Sequence, residues 1–135
     1  MLSRIILACA AAVCGAMFLG GCVANPAPLV DASVDNTLPL PMELRRPGGQ
    51  VKVRIPGSDV PVLVWRMEIG FGAATLRCTH CGGEIRYEAG PQRLICPIGA
   101  RFSLDGSIVD PGPRRKPLRT YVADLIEEQR LRILG

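Results

Sequence analysis

Histidine is almost missing from this chain: among 135 residues there is one, His80. A site that needs two imidazoles therefore cannot be built, and a cysteine–histidine catalytic pair would have no identifiable third group to orient it. Aromatic residues make up only 4%. Without basic and aromatic side chains interleaved on one surface there is nothing on which bases would stack, so nucleic acid is excluded as a partner. The formal charge of +4 is modest, and the cations are scattered over Arg45, Arg46, Arg54, Arg114, Arg115, Lys116 and Arg119. The run Arg114-Arg115-Lys116 reads first as a solvated loop and second as a docking patch for an acidic partner or anionic headgroups. No apolar stretch reaches the roughly 20 residues of a membrane-spanning helix. Repeats and low-complexity segments are absent as well.

What is present begins with a leader. Arg4 precedes an apolar run from Ile5 to Phe18, and Leu19-Gly20-Gly21-Cys22 closes it. This reads as a signal peptide over residues 1–21, and the closing tetrapeptide resembles a bacterial lipobox, which would make Cys22 the acylated first residue and lipid anchor. The expected location is the bacterial cell envelope, periplasm-facing or surface-exposed, with the membrane reached through lipidated Cys22. Cys9 and Cys14 would leave with the signal, so Cys78, Cys81 and Cys96 are the remaining thiols. Three is odd. One disulfide would strand a thiol in an oxidising compartment, which points to metal ligation or a deliberately free thiol.

Residues 22–49 carry Pro26, Pro28, Pro39, Pro41 and Pro47 without sustained periodicity. They are predicted to form a lipid-anchored flexible linker, holding the domain roughly 25–30 Å from the bilayer. Residues 50–135 read as short strands broken by turns, the pattern of an all-β sandwich or barrel. Val51, Val53 and Ile55 alternate with polar residues, Pro56-Gly57-Ser58-Asp59 turns the chain, and Val60–Met67 returns as a more buried strand. Glu84–Tyr87 and Arg93–Ile95 flank a turn at Ala89-Gly90-Pro91, and Phe102–Leu104 faces Ser107–Val109 across Asp105-Gly106, a strong hairpin signal. The tail is ambiguous, since Leu118, Tyr121, Val122, Leu125 and Ile126 fit a helix while Tyr121–Ala123 and Leu131–Leu134 fit two strands.

The segment Leu76–Leu118 resembles the Rieske iron–sulfur domain. Cys78-Thr79-His80 matches the family's first cluster loop, and Cys96-Pro97-Ile98-Gly99-Ala100-Arg101-Phe102 matches the second with one residue, its histidine, deleted. Phe102-Ser103-Leu104-Asp105-Gly106 fits the hairpin that follows, and Gly112–Leu118 has the length of the loop that covers the cluster. The resemblance implies an antiparallel β-sandwich ending in strands, with the two cysteine loops together at one tip. It implies ligands at Cys78, Cys96 and His80, and Cys81 stands where it could replace the missing imidazole. Ala100 occupies the position of a serine that donates to a bridging sulfide in the family. A Cys78, His80, Cys81, Cys96 set suits a non-standard [2Fe–2S] cluster or a structural Zn²⁺ ion. The expected function is one-electron transfer by a membrane-tethered protein with a redox partner in the envelope. It reads as a carrier or accessory more than as an enzyme in its own right. The alternative is a cluster-free accessory or interaction module with Cys78 and Cys96 as a disulfide, or a thiol-redox protein.

Overall fold

The computed structural model describes residues 25–109 and 116–135, and all statements below concern these. Ten strands follow one another: β1 (Leu29–Asp31), β2 (Thr37–Pro39), β3 (Gln50–Arg54), β4 (Val62–Arg66), β5 (Phe71–Thr75), β6 (Arg86–Glu88), β7 (Arg93–Ile95), β8 (Arg101–Phe102), β9 (Thr120–Glu127) and β10 (Arg130–Leu134). A seven-stranded sheet has the order β1-β3-β4-β5-β9-β10-β2, and a three-stranded sheet runs β6-β7-β8. No α-helix occurs among the described residues, and no helix there is long and apolar enough to cross a membrane.

The key strand is β4, whose first four residues, Val-Leu-Val-Trp, are all apolar and buried on both faces. Successive side chains of a strand point to opposite sides, so an unbroken apolar run demands a core on each. Val62 and Val64 enter one with Val51, Val53, Leu131, Ile133 and Leu38, around which the large sheet curls. Leu63 and Trp65 enter the other, between that sheet and β6-β7-β8, where Ile85, Tyr87, Leu94, Phe102, Cys78 and Cys96 meet them. The Trp65 and Tyr87 rings stack at 5.6 Å. Gly72 lies opposite Trp65 in the β4–β5 ladder, and a Cβ there would fall inside the indole.

The tail is strand. β9 and β10 form an antiparallel hairpin with a register shift at Arg130/Leu131, and Leu131 and Ile133 alternate into the core. The helical spacing of the preceding apolar residues defines no buried face, since Val122, Leu125 and Ile126 are exposed, whereas the alternation on β10 does. The Asp105-Gly106 hairpin forms as expected, with Phe102 bridging Ile108 and the Asp105 carboxylate accepting from the Ser107 amide.

Residues 25–49 depart from the flexible linker predicted for 22–49. β1 pairs in parallel with β3, β2 pairs with β10, and a 3-10 turn spans Met42–Arg45. Leu38 and Leu44 are buried in the core of the large sheet. Two leucines spaced among prolines carry no periodicity, yet each fills a site that the curled sheet leaves open. The segment is also fixed at its start. Asn25 is buried; its amide N–H donates to Glu84 Oε1 at 2.8 Å, and its side chain donates to the Ile85 carbonyl at 2.8 Å and accepts from the Ala27 amide. Lys52 Nζ donates to the Asn25 carbonyl at 2.6 Å and pairs with Glu84 at 3.2 Å. Signal peptide residues 1–21, Cys22 and the Gly112–Arg115 part of the covering loop lie outside the described residues.

Candidate metal centre

Both cysteine loops grow from strand ends that are held on each side. Leu76 N donates to the Pro61 carbonyl and Ile85 N to the Leu76 carbonyl, which pins the first loop at its base. Within it Cys78 N donates to the Gly83 carbonyl and Gly82 N to the Cys78 carbonyl, closing a tight turn in which Gly82 has φ +75°. The second loop repeats the device between β7 and β8: Cys96 N donates to the Ala100 carbonyl, Gly99 N donates to the Cys96 carbonyl, and Gly99 takes φ +98°. Glycine supplies these left-handed corners without a Cβ penalty. Each turn aims amides at sulfur. His80 N donates to Cys78 Sγ at 3.3 Å, Gly83 N to Cys81 Sγ at 3.4 Å, and Ala100 N to Cys96 Sγ at 3.3 Å.

The loops then close on one another. Gly83 lies so near Pro97 that a Cβ would sit 2.9 Å from its Cγ. As a result the sulfurs of Cys78, Cys81 and Cys96 all lie within 4.8 Å of one another. Cys78 and Cys96 are buried and Cys81 is exposed; no disulfide joins them. The adjacency of the Cys78 and Cys96 loops expected from sequence is thus present, and Cys81 joins it. His80 is exposed, and its ring is outside this group of three. Thr79 Oγ1 donates to the Lys116 carbonyl at 2.6 Å, which ties the first loop to the chain leaving the covering segment. Sequence reasoning missed Gly83 and Thr79. The Gly82-Gly83 pair was the available signal for a close approach.

The thiols are not equivalent. Loss of water around its sulfur pushes the Cys81 thiol up to about 11, the Cys96 and Cys78 sulfurs add to this, and the Gly83 amide opposes it. Burial also raises Cys96, but the amides of Ile98 and Ala100 and the thiols of Cys81 and Cys78 outweigh it and leave that group below its ordinary value. Cys96 therefore ionises more readily than Cys81. A tetrahedral ion with bonds of about 2.3 Å to sulfur spaces its thiolates by about 3.8 Å, so the three sulfurs suit a thiolate-bound metal, with the fourth position open on the exposed side. Amides directed at sulfur fit the same purpose, because they stabilise the charged form.

No family model matches the sequence, and no curated protein matches it. Solved structures do. The plasma-membrane Rieske protein of the cyanobacterium Synechocystis is 22% identical, with 73% of this chain and 98% of that chain covered at a TM-score of 0.57. This chain has the Rieske fold. The ferredoxin of carbazole 1,9a-dioxygenase from Nocardioides aromaticivorans is 18% identical, with 74% and 98% covered at a TM-score of 0.58. A chain in a complex of reduced oxygenase and oxidised ferredoxin of carbazole 1,9a-dioxygenase is 22% identical, with 75% and 94% covered at 0.57. The three thiols gather where the two cysteine loops meet.

Proposed function

We propose that this chain is a Rieske-like one-electron carrier whose cluster is non-standard, held by Cys78, Cys81 and Cys96 with His80 as the fourth ligand. The observation that carries the reading is the convergence of three sulfurs within 4.8 Å at the tip of a Rieske fold. A [2Fe–2S] cluster supplies a site that accepts and releases one electron. The chain's own residues hold and tune it: the His80, Gly83 and Ala100 amides donate to the three sulfurs, and Cys78 and Cys96 are sealed into the apolar core. A thiolate in place of an imidazole adds negative charge, and Ala100 has no hydroxyl to offer, so the potential lies below that of a two-histidine centre. Such a carrier is a poor quinol oxidant and suits a protein redox partner in the envelope. A ferredoxin of this fold in complex with an oxygenase supports a protein partner. Lipidation of Cys22 would keep the carrier at the membrane.

Anaerobic purification with iron and sulfide analysis and visible absorbance tests this directly. Cys81→Ser is expected to lose as much cluster as Cys78→Ser or Cys96→Ser, and His80→Ala less, since water can take the open position. A reconstituted wild type without iron or sulfide, showing a Cys78–Cys96 bond by mass spectrometry, would refute it. The second reading is a structural zinc ion held by the same four side chains, which the compact trio of sulfurs also suits. It predicts zinc without sulfide and no colour.

A further inference from the structure

The chain is fixed to the domain from Asn25 onward, and this changes what a lipid on Cys22 would do. Asn25 is held at its amide, its carbonyl and its side chain at once, by Glu84, Lys52 and Ile85. Lys52 N then bonds the Pro28 carbonyl and β1 joins β3, so no slack remains before the core. Only Val23 and Ala24 separate Cys22 from Asn25, so three chain steps join them. In any conformation their Cα atoms lie no more than about 11 Å apart. A flexible linker over residues 22–49 would instead have allowed roughly 25–30 Å of root-mean-square reach.

The point of attachment is specific. Glu84 follows Gly83, whose carbonyl accepts from Cys78 N, so the thiol loop adjoins the place where Asn25 is clamped. Arg77 and Glu84 face each other across a bridge, and Glu84, Arg86 and Glu88 alternate outward while Ile85 and Tyr87 are buried. These side chains share one outer face. Its acids are committed, Glu84 to Lys52 and Glu88 to Arg93. Arg77 and Arg86 are exposed, and they give the face a positive balance.

We infer that this Arg77/Arg86 face lies against anionic phospholipid headgroups, with the thiol tip at the membrane surface and not held away from it. The inference rests on the lipoprotein reading of Cys22. A partner would then have to meet the thiol tip beside the headgroups, which favours a membrane-embedded or membrane-apposed protein over one diffusing in the bulk.

The test uses the full acylated chain in vesicles of phosphatidylcholine with one quarter phosphatidylglycerol and a headgroup nitroxide lipid. A fluorescent amino acid is placed at Arg86 in one variant. In another it replaces Glu128, in the β9–β10 turn at the far end of β9 from Thr120, which pairs with Ala74. Fatty-acid labelling is read first. Quenching is expected at Arg86 and not at Glu128. It should fall when twenty Gly/Ser residues are inserted between Ala24 and Asn25. Pure phosphatidylcholine should lower the docked-to-free ratio about fivefold through the remaining Arg77. Equal quenching at both positions in an acylated protein, or quenching indifferent to the insertion or to lipid charge, overturns the inference while leaving the lipoprotein reading intact. Absence of label on Cys22 removes both.

Discussion

A methyl group on Gly83 should pry the two cysteine loops apart. Its Cβ would stand 2.9 and 3.0 Å from Pro97 Cγ and Cδ and 3.3 Å from Cys81 Sγ. Carbon pairs rest at about 3.5–4.0 Å, so the loops must separate by about 0.5–1 Å. A proline ring cannot swing away, and overpacking of this kind costs about 1–3 kcal/mol. The metal site is more sensitive, because ligand distances tolerate only about 0.2 Å. Gly83→Ala is therefore expected to retain a cooperative urea transition with a lowered midpoint and to lose most of its metal. The neighbouring glycine is the control. Gly82 has φ +75° and open space around its Cβ position, so Gly82→Ala costs about 1 kcal/mol of backbone strain but leaves the loop spacing unchanged. Pro97→Ala removes the offending atoms, and combined with Gly83→Ala it should recover at least half of the lost stability and metal. If Gly82→Ala loses as much metal as Gly83→Ala, or Pro97→Ala gives no rescue, the close approach of the loops is not what assembles the site.

Asn25→Ala removes the side chain that bonds Gln50, the Ile85 carbonyl and the Ala27 amide, leaving buried partners unpaired. A loss of about 2–3 kcal/mol in urea unfolding is expected, and a loss under about 0.5 kcal/mol would show that residues 25–31 are not held to the domain. Gly72→Ala drives Cβ into the Trp65 indole, so emission from this single tryptophan should shift to the red; an unchanged spectrum contradicts the packing. The Ser107 hydroxyl first, then its amide, hold the Asp105 carboxyl below the ordinary carboxylate range. A carboxyl that ionises more readily when folded adds stability that is complete above the unfolded value near 3.9 and is lost as pH falls through the lower folded value. An NMR titration should place Asp105 below ordinary aspartates, and Ser107→Ala should move it upward; no movement would refute the assignment.

The sequence by itself determined the all-β character from Gln50 onward and the Asp105-Gly106 hairpin, because alternation at Val51, Val53 and Ile55 and the Asp-Gly turn are local signals that the β-backbone must obey. It also located the tip, since Cys78 and Cys96 sit in loops whose motifs are read along the chain. The strand–helix choice in the tail, the role of residues 25–49 and the grouping of Cys81 with the other thiols were decided only by tertiary structure. Leu38 and Leu44 show no period, and their burial depends on openings left by strands far away in sequence. Asn25 reads as an ordinary polar residue until Glu84, Ile85 and Lys52 arrive around it. The same holds for the sulfurs: spacing along the chain names the candidates, but the contact of Gly83 with Pro97 sets the distance between them, and that contact exists only after the β6-β7-β8 sheet has packed on the Leu63 and Trp65 face of β4.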